Sequence, residues 1–239
     1  MPGIFLTAEW RDLVMLNYEV DGGLLHGRVP PGTVLDSFGG RIYVSLVGFR
    51  FRHTRLLGRL PVPFHADFEE VNLRFYVRRK EGDEERRGVV FVAEIVPRRA
   101  VAQLARKVYG ENYVRLPMRH SIGADGNGMS ISYEFRLAGA WCRLHGRSAA
   151  VPQPVPDGSL EQFITEHYWG YCGRRGGGAV EYHVTHPPWD VAPAGDAGFE
   201  GDAAGLYGAE LGKVIRRPPD SAFLVDGSEV TVLGGRIIE

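Results

Sequence analysis

In the segment FEEVNLRFYVRR, residues 68–79, Glu70, Asn72 and Arg74 share one face, while Val71, Leu73, Phe75 and Val77 share the other. A two-residue period marks a strand with one buried face. A carboxyl, an amide and a guanidinium in a row can transfer protons and orient an anion, so this face is a candidate cavity wall. The same residue types also form cross-strand pairs on a solvated sheet. A second alternating segment, MSISYEFRL at 129–137, offers Glu134 and Arg136 in the same two senses.

Glu94 lies in an otherwise apolar run, VVFVAEIV at 89–96. Burial there would raise its pKa unless a cation compensates, and Arg98 and Arg99 are the nearest candidates. It is either an acid of a site or half of a buried pair. His183-x-x-His186, and the group His65, Asp67 and Glu69, contain metal-ligand residue types without a His-Glu-x-x-His spacing or an assignable third ligand, so no metal is expected. His120, after Pro117-Met118-Arg119, either faces a pocket or is a structural residue at a strand end. The glycine runs at 22–23 and 176–178 fit neither a phosphate loop nor a dinucleotide fingerprint, and there is no Gly-x-Ser-x-Gly elbow. No cofactor is implied.

The elements that must position these groups are mostly strands. Residues 13–20 and 41–51 read as strands, the second apolar on both faces, as suits a strand covered on both sides. Asp21 caps a short helical turn, and 53–65 reads as a loop. Residues 68–79 and 89–96 make a hairpin through a charged turn. Pro97 ends that strand, a helix is expected over 98–108 with Lys107 on it, and a Tyr-Gly-Glu-Asn-Tyr turn leads into a strand at 112–120. Ser159-x-x-Gln162 opens a helix after the proline-rich stretch 151–158, the one weak boundary in a single domain of 1–239. Residues 180–185 form another strand, 186–212 are loop-rich, and Asp226-Gly227 reads as the turn of a last hairpin. Short strands at this spacing predict a β-rich α+β fold, an antiparallel sheet closing on itself, with a few short helices.

Composition narrows the partners. The 239 residues carry 28 basic and 29 acidic side chains, a net charge of -1, which provides no general attraction for nucleic acid or an anionic membrane. Only Lys80, Lys107 and Lys213 are lysines, and only Cys142 and Cys172 are cysteines, too far apart to suggest a zinc or disulfide framework. No run is apolar and long enough for a membrane span, and the first residues lack the pattern of a leader, so a cytoplasmic location is expected. Exposed apolar strand faces would allow a homodimer.

The stretches AEWRDLVMLNYEVD, YVSLVGFRF, FEEVNLRFYVRR, VVFVAEIVPRRAVAQLARKVYG, LPMRH, EHYWGYCGRRGG and VTHPPW resemble the bacterial DUF2071 (YqjF-like) family over nearly the whole chain. That family is distantly similar to acetoacetate decarboxylase, whose fold is a β-rich cone or barrel with an internal pocket and which acts through a Schiff-base lysine. The resemblance implies such a fold and places the substrate-side arginine at Arg11, with Tyr18 and Asp21 in register. It places one active-site glutamate at Glu70 or its neighbour and a second near Ser45. The decarboxylase motif Gly-Arg-Glu falls on Ala105-Arg106-Lys107, and its Pro-Lys-Lys on Asn112-Tyr113-Val114, so Tyr113 stands where the lysine should be.

A phenol cannot form an imine, and Lys107 would substitute only if its side chain entered the pocket. The expectation is therefore a protein that binds a small organic acid, a keto acid, in a central pocket. Glu70, Glu94 and Tyr113 are its candidate catalytic groups, and Arg11, Asn72, Arg74, Lys107 and His120 its candidate binding groups. A lyase or isomerase without the Schiff base and a non-catalytic binding or sensing protein both remain open.

Overall fold

The computed structural model describes residues 3–61, 66–98, 110–126 and 128–239. One sheet contains β1 (Ile4–Val20), β2 (Val34–Leu35), β3 (Ile42–Leu56), β4 (Leu60–Pro61), β5 (Phe68–Glu81), β6 (Glu84–Val96) and β7 (Tyr113–Arg115). A second, four-stranded sheet contains β8 (Met118–Asp125), β9 (Gly128–Leu137) and β10 (Ala140–Ser148). Returning to the first sheet are β11 (Trp169–Gly173), β12 (Ala179–Thr185) and β13 (Val191–Pro193); β14 (Asp196–Glu200) joins the second, and β15 (Ser221–Leu233) and β16 (Arg236–Ile238) the first. Short helices occupy Leu160–Thr165, Ala204–Tyr207 and Ala209–Ile215, with a 3-10 turn at Gly22–Arg28 capped by Asp21.

The pairing path of the large sheet, β15-β1-β3-β5-β6-β11-β12, returns to its start where Val184 and Thr185 of β12 pair with Val232 and Thr231 of β15. Every pairing around this ring is antiparallel except β6 with β11. Strands on both sides of 151–158 pair within it. The alternation of side chains then produces two cores. Val14, Leu16, Tyr18, Val44, Leu46, Val71 and Leu73 face outward and pack against Ile131, Tyr133, Phe135 and Leu144 of the second sheet. Leu13, Met15, Tyr43, Val47, Phe49, Phe51 and Phe68 face into the ring. That double burial is why these strands are apolar on both faces. No helix among the described residues is long and apolar enough to cross a membrane.

Several elements differ from the sequence reading. The first strand begins at Ile4, nine residues before the expected 13–20 segment, and β3 runs on to Leu56 through the region expected as loop. Residues 112–120 divide between β7, parallel to β6, and β8 in the other sheet. The helix expected over 98–108, Lys107 included, lies outside the described residues apart from Arg98. Asp226-Gly227 is not a turn: β15 is continuous, and Gly227 pairs with Arg11 of β1.

At that point both strands kink together. Gly227 has φ +80° and Asp12 has φ +57°, and neither Asp12 nor Asp226 enters the pairing register. Arg50 Nε donates to Asp12 Oδ2 at 2.8 Å, and Tyr133 of the second sheet donates to the Asp12 carbonyl at 2.8 Å. A Cβ at Gly227 would lie 1.9 Å from the Trp10 carbonyl oxygen. Gly227→Val is therefore expected to cost at least about 2 kcal/mol, from the left-handed backbone and the clash together. Urea unfolding measures this, and an unchanged midpoint would show that the kink does not need glycine.

Candidate functional site

The inward face of β5 carries Glu70, Asn72, Arg74 and Tyr76 in sequence, set there by the two-residue period. Unbroken alternation along β6 would send Glu94 outward with Val90 and Val92. A bulge intervenes: Leu73 pairs with Ala93, and Arg74 pairs with Phe91, leaving Val92 over. The extra residue changes the parity, so Phe91 and Glu94 both face inward. Asn112 Nδ2 donates to the Val92 carbonyl at 2.9 Å, satisfying the group that the bulge releases. Glu94 then stands opposite Asn72 on one side and Tyr113 of β7 on the other.

These residues line a cavity of about 380 Å³ inside the ring, a size suited to a small ligand. Its walls are chiefly aromatic and aliphatic, among them Phe49, Phe51, Phe68, Phe91 and Val89. Three carboxyl groups, Glu70, Glu94 and Glu111, are buried in it. Asn72 Nδ2 donates to Glu70 Oε1 at 2.9 Å, Tyr113 donates to Glu70 Oε2 at 3.3 Å, and Tyr182 donates to Glu111 Oε1 at 3.0 Å. Cys172 is also hydrogen-bonded to Glu111.

Burial pushes Glu70 up to about 7 against its bonds to Asn72 and Tyr113 and the charge of Arg74. Burial likewise pushes Glu111 up to about 8, against its bonds from Tyr182 and Cys172. Glu94 is held well above the carboxylate range, by burial first and then by the charges of Glu111 and Glu70. Tyr113 is hydrogen-bonded to Glu94 as well as to Glu70. A phenol has one proton, so with that proton on Glu70 it must accept from Glu94, which fits a protonated Glu94.

The cation here among the described residues is Arg74, whose Nη2 donates to the Ile164 carbonyl at 3.1 Å. His167 forms another part of the wall, its side chain almost fully buried. Toward the other end, His186 stacks on Trp189 with ring centroids 4.1 Å apart, and Trp10 packs on Trp189 at 6.3 Å. Among the described residues, nine buried side-chain nitrogen or oxygen atoms have no hydrogen-bond partner, and seven line this cavity. They are Trp10 Nε1, Thr54 Oγ1, Asn72 Oδ1, Arg74 Nε, Glu94 Oε2 and both His167 ring nitrogens. Water or a ligand in the cavity must complete their bonding.

Of the residues singled out from sequence, Glu70, Asn72, Arg74, Glu94 and Tyr113 converge here. Arg11 does not line the cavity: Trp10 and Leu13 do, and Arg11 instead donates to Glu9 at 2.9 Å and to the Gly227 carbonyl at 3.3 Å. His120 sits on the second sheet, 2.7 Å from Glu69. Glu134 pairs with Arg119, also on that sheet. Glu94 has no ion pair among the described residues, Arg98 included, and Arg99, the other cation considered from sequence, lies outside them. Ser45 lies deeper in the ring, bonded to Asn17 and Tyr76. His186 lines the cavity but His183 stacks on Trp169 instead; Lys107 and His65 lie outside the described residues.

Sequence reasoning missed Glu111, Tyr182 and His167. Tyr182 shares the period of Val180 and Val184, so its face was legible. Glu111 sits in what reads as a turn and has no periodicity to reveal it. His167 lies just past the helix that Ser159-x-x-Gln162 opens: the helix ends at Thr165, and the next residues carry the imidazole inward.

A model of the DUF2071 family, described as uncharacterised conserved proteins, matches residues 7–229. The uncharacterised protein YqjF of Bacillus subtilis (strain 168) is 26% identical over 191 residues, covering 78% of this chain and 75% of that one. In fold, the chain is similar to acetoacetate decarboxylase from Legionella pneumophila, with a TM-score of 0.66 at 12% identity over 100% of this chain and 88% of the other. It is also similar to the enduracididine biosynthesis enzyme MppR complexed with pyruvate, with a TM-score of 0.69 at 14% identity over 100% and 91%. At these identities the structural matches establish a shared fold.

The raised carboxyl pKa values have a signed consequence for stability. An unfolded glutamate releases its proton near 4.5, whereas folded Glu70 and Glu111 retain theirs to about 7 and about 8. These two groups therefore take nothing from stability below about 4.5, and each removes about 1.4 kcal/mol per pH unit between there and its folded pKa. Glu111→Gln removes one such group, so urea unfolding should show the variant gaining on the parent at about that rate from pH 5 to 8. Parallel stability curves would mean that Glu111 is not protonated in the folded chain.

Proposed function

The chain belongs to the DUF2071 family, and from that membership and the chemistry of its cavity we propose that it binds a small keto acid. Arg74 holds the carboxylate, and Glu94, whose proton turns from its bond with Tyr113 to Oε2 when the ligand binds, donates to the carbonyl oxygen. The observation that carries this reading is the pair of buried atoms Arg74 Nε and Glu94 Oε2, without hydrogen-bond partners among the described residues, in one apolar cavity. A guanidinium is the ordinary partner of a carboxylate, and a protonated carboxyl is a donor to a carbonyl. Hydrogen bonds to that oxygen would stabilise an enolate, which points to a lyase or isomerase acting by proton transfer. A protein of the same fold is complexed with pyruvate, which supports the ligand class.

The reading requires no imine. Lys80 is exposed on β5, and Lys213 is exposed and paired with Glu210, so neither belongs to the cavity. With Tyr113 at the position that the family likeness assigns to the nucleophilic lysine, borohydride reduction in the presence of keto acids is expected to leave the chain unmodified.

Thermal unfolding in the presence of pyruvate, acetoacetate and branched-chain keto acids tests the binding. A ligand at a hundredfold over its Kd should raise Tm by on the order of 5 °C. Arg74→Gln should abolish that rise for the acid while leaving any rise given by the matching neutral ketone. Stabilisation by amines and not by acids would overturn the reading. Stabilisation by a keto acid without turnover would place the protein among binding or sensing modules.

A further inference from the structure

Arg74 has polar groups on both sides of it along the cavity. Two residues away on β5, about 7 Å along the strand, lies the level of Asn72, Glu94 and Tyr113. Two residues the other way lies Tyr76, and against its ring, with centroids 4.6 Å apart, packs His167. Phe163 meets the same imidazole edge-on at 5.2 Å, so the ring plane is fixed by two aromatic neighbours.

The two nitrogens of this ring have different surroundings. Nε2 lies 3.5 Å from Asp36 Oδ2 without forming a hydrogen bond, and Nδ1 has no hydrogen-bond partner among the described residues. Asp36 is itself oriented: Arg87 Nε donates to Oδ2 at 2.8 Å and the Ser37 backbone N–H donates to Oδ1 at 2.9 Å. Burial acts to raise the Asp36 pKa, but His167 and Arg87 outweigh it and hold the carboxyl at about 2. Asp36 and Arg87 also line a polar groove on the outer surface, so the imidazole stands between the cavity and a carboxylate with access to solvent.

We infer that His167 is the catalytic base of the cavity, accepting a proton from the ligand's carbon next to its carbonyl, with Asp36 as the residue that positions it. The inference rests on the keto acid reading above. With Nε2–H on the side of Asp36, Nδ1 is the lone pair left for the ligand. In the step, the C–H bond breaks, its proton goes to Nδ1, and its electron pair becomes the C=C bond of the enol. The carbonyl π pair moves to oxygen, which takes the proton offered by Glu94 through its hydrogen bond. The new imidazolium is balanced by Asp36, and the reverse step returns a proton to carbon. Acid and base thus stand on opposite sides of Arg74.

The protonation states support this assignment. Burial first, and then the charges of Arg87 and Arg74, hold His167 down to about 4 despite Asp36, so the imidazole is neutral near pH 7. The three glutamates on the other side hold protons, which suits them to donate.

Two measurements test it. Nitrogen NMR of the ligand-free protein should show His167 neutral at pH 6, with its proton on Nε2; a charged ring there, or the opposite tautomer, overturns the inference. Deuterium exchange at the carbon next to the carbonyl, followed by proton NMR with each keto acid that raises Tm, should occur in the parent and fall at least about 100-fold in His167→Gln. The ligand-induced Tm shift should persist in that variant. Asp36→Asn should exchange about tenfold more slowly, with the acidic limb of its pH profile moved to lower pH, because the imidazole loses its stabilising anion. Exchange at parental rate in His167→Gln, or a bound keto acid with no exchange in the parent, overturns the role of His167 and leaves binding standing. A parent whose Tm no keto acid shifts would instead overturn the ligand reading, and the NMR result then judges His167 alone.

Discussion

A carboxylate buried without a cation cannot keep its charge, and three carboxyls share one apolar cavity in this protein. Each ionisation would raise the cost of the next, so the cluster holds protons to neutral pH and beyond. Elsewhere the chain solves the same problem with arginines. Glu181, whose side chain is fully buried, has Arg79, Arg86 and Arg236 at 3.3, 3.0 and 2.7 Å and accepts from Tyr171 at 3.1 Å. A chain with so many arginines is well supplied with partners for a buried acid. Among the described residues lining the cavity only Arg74 supplies such a charge, and it acts on Glu70 through its field without a direct pair.

The backbone irregularities that create this arrangement cost regular pairing. The β6 bulge turns Glu94 into the ring, and Asn112 satisfies the carbonyl left behind. The joint kink at Asp12 and Gly227 lets β1 present both Trp10 and Leu13 to the cavity, which leaves Arg11 outside. Around them the ring is held by ordinary means: an apolar core between the two sheets, and the Glu181 network where β5, β6, β12 and β16 meet. The irregular places are near the cavity, where a bulge re-aims a side chain that alternation would have sent elsewhere.

That division also explains what the sequence could disclose. The face of Glu70, Asn72 and Arg74 follows from a period of two and needed nothing else. The β-rich class followed from the spacing of short alternating runs, and the family likeness supplied the shape of the ring. The direction of Glu94 and Arg11 depends on bulges, which change parity without any residue to announce them, so alternation could not assign either one. Asp-Gly at 226–227 is a strong hairpin signal because glycine allows positive φ; here the same freedom serves a kink within a continuous strand. Glu111 is brought in by β7 lying parallel beside β6, a long-range pairing with no local pattern.

Sharing a fold with acetoacetate decarboxylase does not carry over an imine mechanism, because that chemistry needs an amine as the electron sink. In its absence the electron pair released from carbon must be taken up by the carbonyl oxygen itself, and hydrogen-bond donors must then stand ready at that oxygen. A well-solvated site could not keep carboxylic acids protonated near neutral pH, whereas an apolar enclosure does so at a cost in stability that grows with pH. On the proposed reading the missing lysine and the unpaired glutamates are therefore one feature. With no amine and no paired cation beside them among the described residues, Glu94 and its neighbours supply acids in its place, and an arginine added beside them would remove the protons on which the chemistry depends.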